Sequence, residues 1–179
     1  MVCTGNVCRS PYIALLLTAL INRTDAATTK VESAGTRALV GARVDPEVVE
    51  ALWGLGVDAG GWRGQQVTGD QIDRASLIVV ASREHRTAVA RMRPRALGRV
   101  FTLRQLVRLL EAARHEDGAL PRLSAADLAR RCALARGLTG PSAGADDDVP
   151  DPFGRTHADY VAAMDLMTPG VFALAAALA

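Results

Sequence analysis

Apolar and polar positions along this chain follow two rhythms that take turns. The first long apolar run, PYIALLLTALI (Pro11 to Ile21), opens on Ser10 and Pro11, a pair suited to cap a helix and fill its first turn, and predicts a buried amphipathic helix. KVESAG reads as a short strand ending at Gly35, and DPEVVEALWGLG as a helix with Asp45 as N-cap, Pro46 first and Gly56 near its end. LIVVA, Leu77 to Ala81, is an unbroken β-rich run and predicts a buried strand. A helix from Arg83 to Arg93 stops before Pro94, and RVF, Arg99 to Phe101, is the last strand. LRQLVRLLEAAR carries apolar residues at helical spacing, and Ser124 opens a helix over SAADLARRCALAR. The Gly-, Pro- and Asp-rich stretch from Gly140 to Gly154 is a loop, and the final helix carries Pro169-Gly170, which bends or breaks it late.

Strands and helices in alternation predict an α/β domain around a parallel sheet. A length of 179 residues suits one domain over 1–179, and 49% apolar residues suffice for its core. The 21 basic and 19 acidic residues are interspersed, with no basic stripe, so no nucleic-acid partner is expected. Three cysteines without zinc-ligand spacing suggest neither a disulfide framework nor a metal site, and fit a reducing cytoplasm. Arg9 and the apolar run after it mimic a secretory signal, but no small-x-small cleavage site follows. VFALAAALA, Val171 to Ala179, is too short to span a bilayer, so no membrane association is expected, and the sequon Asn22-Arg23-Thr24 means little in a cytosolic protein.

Candidate chemistry concentrates at CTGNVCRSP, Cys3 to Pro11. Two cysteines placed there fit a disulfide staple, half a metal site, or a nucleophile with its guard. A glycine-containing loop between a strand and a helix turns its N–H groups inward, and the helix dipole adds positive potential, so the loop becomes a nest for an oxyanion. Cys3 at the start of that loop sits beneath the anion, and Arg9, six positions on, grips two of its oxygens. The same field, with Ser10, stabilises the sulfur as a thiolate and makes it nucleophilic. Phosphoryl transfer to sulfur also needs a proton donor for the leaving group. Asp151 is the candidate: Pro150 and Pro152 stiffen its backbone, and Phe153 walls the cleft and partly desolvates its carboxyl. The same carboxyl then activates water.

VCTGNVCRSP (Val2 to Pro11), SAGTRA (Ser33 to Ala38) and DPFG (Asp151 to Gly154), in this order over nearly the whole length, make the chain resemble a low-molecular-weight protein-tyrosine phosphatase of bacterial type. The resemblance implies a four-stranded parallel sheet with helices on both faces and the phosphate-binding loop after the first strand. It implies hydrolysis without metal or other cofactor, Cys3 as nucleophile, Arg9 as phosphate clamp and Asp151 as general acid, acting on a phosphorylated protein. Thr4, Gly5, Asn6, Val7, Cys8, Ser10 and Phe153 then bind substrate. Asn6 holds the loop in a left-handed conformation, Ser10 bonds the Cys3 sulfur, and Ser33 buttresses Asn6. Cys8 takes the place of a reversible guard that pairs with Cys3 under oxidation.

Departures from the family pattern set further expectations. Before Cys3 stand Met1 and Val2 alone, a truncated first strand, which suggests a natural start further upstream and makes an inactive phosphate-binding module a rival to the enzyme. Trp62 and Gln65 stand where family members carry a histidine and an arginine that support the loop. Val7 has the shape but not the hydroxyl of the threonine that marks phosphoarginine phosphatases, which favours phosphotyrosine. A protein-arginine phosphatase and an arsenate reductase, built on the same loop, are the competing functions. Gly154 replaces a second aromatic and opens the rim. Cys132 and Trp53 are read as core, Trp62 as core plug or cleft wall, His85 and His115 as helix-surface residues, His157 as a neighbour of the substrate, and Asp146 to Asp148 as a solvated acidic turn rather than a metal site. Oligomeric state is not legible.

Overall fold

The structure is a computed structural model and describes residues 1–23, 29–117, 122–139 and 147–178, without the side chains of 114–117, 138 and 139. The loop residues 140–146, Thr24 of the sequon and the His115 side chain fall outside the described parts. Strands β1 (Val2–Cys3), β2 (Ala34–Gly35), β3 (Ile78–Val80) and β4 (Val100–Thr102) form one parallel sheet in the order β2-β1-β3-β4. Helices α1 (Arg9–Ile21), α2 (Pro46–Gly54), α3 (Gly69–Arg74), α4 (Arg83–Met92), α5 (Leu103–Asp117), α6 (Ala125–Thr139) and α7 (His157–Ala177) surround it, with a 3-10 turn over Pro94–Arg99.

Why the strands read as unbroken apolar runs is visible in their side-chain alternation. Val79 and Phe101 join a core built with α1, α2, α5, α6 and α7, whereas Ile78, Val80 and Val100 join a second core with Ile72 of α3, Val89 of α4 and Ala96. A strand covered on both faces has no polar side to display. Short as it is, β1 takes the centre: Val2 pairs with Ala34 and Val80, and Cys3 with Gly35. The strand predicted over KVESAG is reduced to Ala34–Gly35, next to its two-residue partner.

Several expectations are corrected. Helix α1 starts two residues earlier than predicted, at Arg9, with Cys8 as N-cap; Ser10 does not cap it. Burial on nearly every side of α1, from Arg9 through Ala14 and at Leu16, Leu17 and Ile21, replaces the amphipathic pattern. Pro169 does not break α7, which runs on to Ala177. Gly170 there lets the helix approach α5 so closely that a Cβ would lie 3.0 Å from the Leu103 side chain, and this packing outweighs the missing backbone bond. The segment from Val171 is thus part of a 21-residue helix, which by length and composition alone could cross a bilayer; Tyr160, Met164, Met167, Val171 and Leu174 pack it into the core. Trp53 is not core: Val48 and Leu52 make the buried stripe of α2, and Trp53, one residue past it, is 73% exposed.

Candidate active site

Strand β1 delivers Cys3 to the carboxyl edge of the sheet, and the chain then loops through residues 4–8 into α1. Every carbonyl of that loop is taken from outside. Thr36, Arg37, Leu39 and Asp45 donate their N–H groups to the carbonyls of Cys3, Thr4, Gly5 and Val7 at 2.8 to 3.0 Å, and Tyr12 donates to Cys8. The amide N–H groups of Thr4 to Cys8 make no bond to a carbonyl among the described residues. A ring of free amides at the start of a helix with no acidic residue in its first turn is an anion nest.

Asn6 holds the ring in shape. Its φ of 59° is left-handed, and its side chain is wholly buried. Nδ2 donates to Ser33 Oγ (2.7 Å) and Ser10 Oγ (3.0 Å), and Oδ1 accepts from the Gln65 N–H (2.8 Å). Because Ser10 Oγ receives that proton, its own hydroxyl turns onward and donates to Cys3 Sγ at 2.9 Å. The side chains of Asn6 and Ser10 therefore support the loop from behind, as the resemblance implied, while the Asn6 N–H belongs to the ring. Trp62 and Gln65 do supply the buttress: the indole N–H donates to the Asn6 carbonyl at 3.3 Å, and Gln65 Nε2 to the Ser33 carbonyl at 2.7 Å.

Opposite the nest, Arg9 is 4% exposed and held at three points. Nη1 donates to the Val149 carbonyl (3.0 Å), Nη2 to Thr4 Oγ1 (3.3 Å), and Nη2 pairs with Asp151 Oδ2 at 2.5 Å. Its Nε is buried with no protein partner among the described residues, a donor free for an oxyanion. A cleft of about 150 Å³ gathers Cys3, Thr4, Gly5, Val7, Cys8, Arg9, Asp151 and Phe153, and adds Arg37 and Leu39, which sequence reasoning missed. A larger cavity of about 600 Å³ beside Met1 shares none of these residues, so the convergence of charges, not volume, marks the site.

The loop of Asp151 is tied down from both sides. Val149 donates its N–H to the Ala81 carbonyl at 2.8 Å. The Tyr160 hydroxyl accepts from the Gly154 N–H (3.4 Å) and donates to Asp45 Oδ2 (2.8 Å). Phe153 stands beside the acid in the same cleft, where Phe153 is 53% exposed and the Asp151 side chain 44%. His157 faces away and bonds Glu47 at 2.6 Å. Asp147 and Asp148 pair with Arg108 and Arg83. Burial, reinforced by Asp45, pushes the Cys8 thiol far above its usual range, and burial pushes Cys132, in the core, up to about 11.

His85 is the main surprise. Expected on the surface, it is 2% exposed, with Nε2 2.8 Å from Thr4 Oγ1 and Nδ1 2.8 Å from Ser82 Oγ. Burial, then the nearby Arg9, pushes its pKa down to about 4. The available signal was its place three residues after Ser82, the N-cap of α4, which directs the ring over the carboxyl edge of β3.

A nest of amides around a thiol, an arginine and a carboxylate at the mouth, all on the carboxyl edge of a parallel sheet, define a protein phosphatase of the cysteine-dependent kind. Residues 1–122 match the family model of the low molecular weight phosphotyrosine protein phosphatases, and the chain belongs to that family. The "Probable low molecular weight protein-tyrosine-phosphatase EpsP" of Ralstonia nicotianae is 37% identical over 106 residues, 59% of this chain and 70% of that protein. A protein-arginine-phosphatase of Geobacillus stearothermophilus is 27% identical over 164 residues, 92% and 84% of the two chains. The crystal structure of the tyrosine phosphatase AmsI of Erwinia amylovora shares the fold, with a TM-score of 0.71 at 21% identity over 99% of this chain and 90% of its own.

Proposed function

We propose that this protein removes phosphate from phosphotyrosine on cytoplasmic proteins through a phosphocysteine intermediate. The carrying observation is the convergence of the Cys3 thiol, the Arg9 guanidinium and the Asp151 carboxyl on one cleft, with the Ser10 hydroxyl directed at the sulfur. A phosphate dianion takes the amide nest and the Arg9 fork, which releases Asp151 from Arg9. Asp151, once free of Arg9, takes up a proton from solvent; the Cys3 thiolate then attacks phosphorus while the bond to the tyrosine oxygen breaks, and Asp151 passes that proton to the oxygen. Asp151 then takes a proton from water as the water oxygen attacks the phosphocysteine, and phosphate and the thiolate are released. Leu39 and Phe153, 45% and 53% exposed at the mouth, offer apolar walls to an aromatic ring. Three unpaired cysteines fit a reducing compartment.

The test is turnover of a phosphotyrosine peptide by the wild type, Cys3→Ser and Asp151→Ala, with acid quench to trap phosphocysteine. Turnover lost in Cys3→Ser and a phosphorylated Cys3 peptide in the wild type are expected. Phosphate binding without turnover in the wild type would instead make the chain a binding module, and thiol-dependent arsenate turnover exceeding phosphatase activity a reductase. A second reading, phosphoarginine as substrate, is favoured by the length of the match to the Geobacillus protein. A phosphoarginine peptide in the same assay decides between them.

A further inference from the structure

The Arg9 guanidinium has to keep its orientation when substrate arrives. Of its three anchors, Asp151 is the one a dianion displaces, since two anions do not share one fork without mutual repulsion. What remains is the Val149 carbonyl on Nη1 and the Thr4 hydroxyl on Nη2. A hydroxyl on a half-exposed loop residue rotates unless something fixes it.

His85 fixes it. The ring bridges Ser82 Oγ at the start of α4 and Thr4 Oγ1, 2.8 Å at each end, and is buried too deeply to tilt. In a neutral imidazole one nitrogen donates and the other accepts, so either tautomer completes the bridge from Ser82 through His85 to Thr4. An imidazolium would add a second cation beside Arg9; burial and Arg9 keep the ring neutral against the weaker opposing pull of Glu84, Asp151 and Asp148. His85 does not line the cleft, so it is not placed to exchange a proton with substrate.

We propose that His85 is a positioning residue for phosphate binding: through Thr4 Oγ1 it locks the Arg9 fork against the rigid β3–α4 junction, so that the fork stays aimed when Asp151 lets go. The inference rests on the phosphatase reading for its consequences in turnover. Its binding consequence is independent of chemistry.

Asparagine at position 85 keeps an amide within reach of Ser82 but is too short for Thr4, whereas glutamine places an amide where Nε2 stood. The measurements are kcat and KM on a phosphotyrosine peptide and the Kd of inorganic phosphate by calorimetry. We expect His85→Asn and Thr4→Val each to weaken phosphate binding and lower kcat/KM roughly tenfold, the scale of one lost bond to a charged group. His85→Gln and Thr4→Ser should stay within about threefold of wild type, and the double variant His85→Asn/Thr4→Val should be no worse than the poorer single one. Equal losses in His85→Asn and His85→Gln, multiplying effects in the double variant, or a wild-type Kd in Thr4→Val would overturn the proposal. If His85→Asn does not fold, the Kd of His85→Gln and of Thr4→Val against Thr4→Ser carries the same decision. A wild type that binds phosphate but hydrolyses nothing defeats the phosphatase reading, and the Kd series still decides the role of His85.

Discussion

Arg9 and Asp151 meet across the cleft, Nη2 to Oδ2 at 2.5 Å, with one side chain 5% exposed and the other 44%. The buried cation is the first residue of α1, directly after the amide ring, and the exposed anion belongs to the loop facing it across the cleft. An ion pair built this unevenly opens on the side of its hydrated member. On the proposed reading, Asp151 is a competitor of the dianion before binding and a neighbour of the leaving group afterwards.

Asp151→Ala should accordingly bind inorganic phosphate a few-fold more tightly than wild type while losing turnover. With aryl phosphates of poor leaving groups the loss in kcat should be on the order of 10² to 10³, and it should shrink as the leaving phenol becomes more acidic. A loss independent of the leaving group would remove Asp151 from the acid role.

Asn6→Ala deprives Ser10, Ser33 and the Gln65 N–H of their partner and leaves a left-handed backbone on a residue that resists it. A destabilisation of about 2 to 4 kcal/mol is expected in denaturant unfolding, together with a large loss of kcat/KM. Trp62→Phe removes a single bond to the Asn6 carbonyl and should cost about 1 kcal/mol, with activity largely kept.

Two glycines separate backbone from side-chain crowding. A Cβ on Gly35 would sit 2.4 Å from the Thr4 carbonyl oxygen, so Gly35→Ala has to displace the phosphate loop itself. On Gly170 the nearest atom is a Leu103 side-chain carbon at 3.0 Å, which can yield. Gly35→Ala should lower stability by about 3 kcal/mol or more and abolish turnover, and Gly170→Ala should cost about 1 kcal/mol with wild-type kcat. Similar activities in the two variants would contradict this assignment of the loop.

Acid stability should carry the mark of His85. Its folded pKa, near 4 because of burial and then Arg9, lies below the usual histidine value of 6.5. Between those values the unfolded chain binds a proton that the folded one refuses, so stability falls as pH drops from about 6.5 to about 4. The whole loss for this one group is about 3 kcal/mol. Thermal unfolding of wild type and His85→Gln across that range should give a flatter profile for the variant.

Legibility along the chain followed the range of the forces involved. The loop from Cys3 to Ser10 was readable because Cys3, Asn6, Arg9 and Ser10 act on one another within a few residues of chain, and Asp45 and Ser124 announced helix starts for the same local reason. Ser10 was rightly placed on the Cys3 sulfur but wrongly given the cap as well, because a hydroxyl before proline suits either task and the position of the helix start decides between them. Trp53 and His85 were exchanged between surface and core. Helical spacing says that α2 and α4 each have a buried stripe, Val48 with Leu52 and His85 with Val89, but not which residue beside the stripe is covered by another element.

From the order of its residues alone, this protein's oxyanion nest, its thiol and the arginine above it were already determined, because backbone amides, a helix terminus and side chains six positions apart need no distant partner to converge. Which histidine steadies that arginine, and how exposed Asp151 remains beside it, were decided by the tertiary structure. Val149 and Arg9 meet across 140 residues of sequence, and a contact of that separation exists only once the sheet and both its cores have formed.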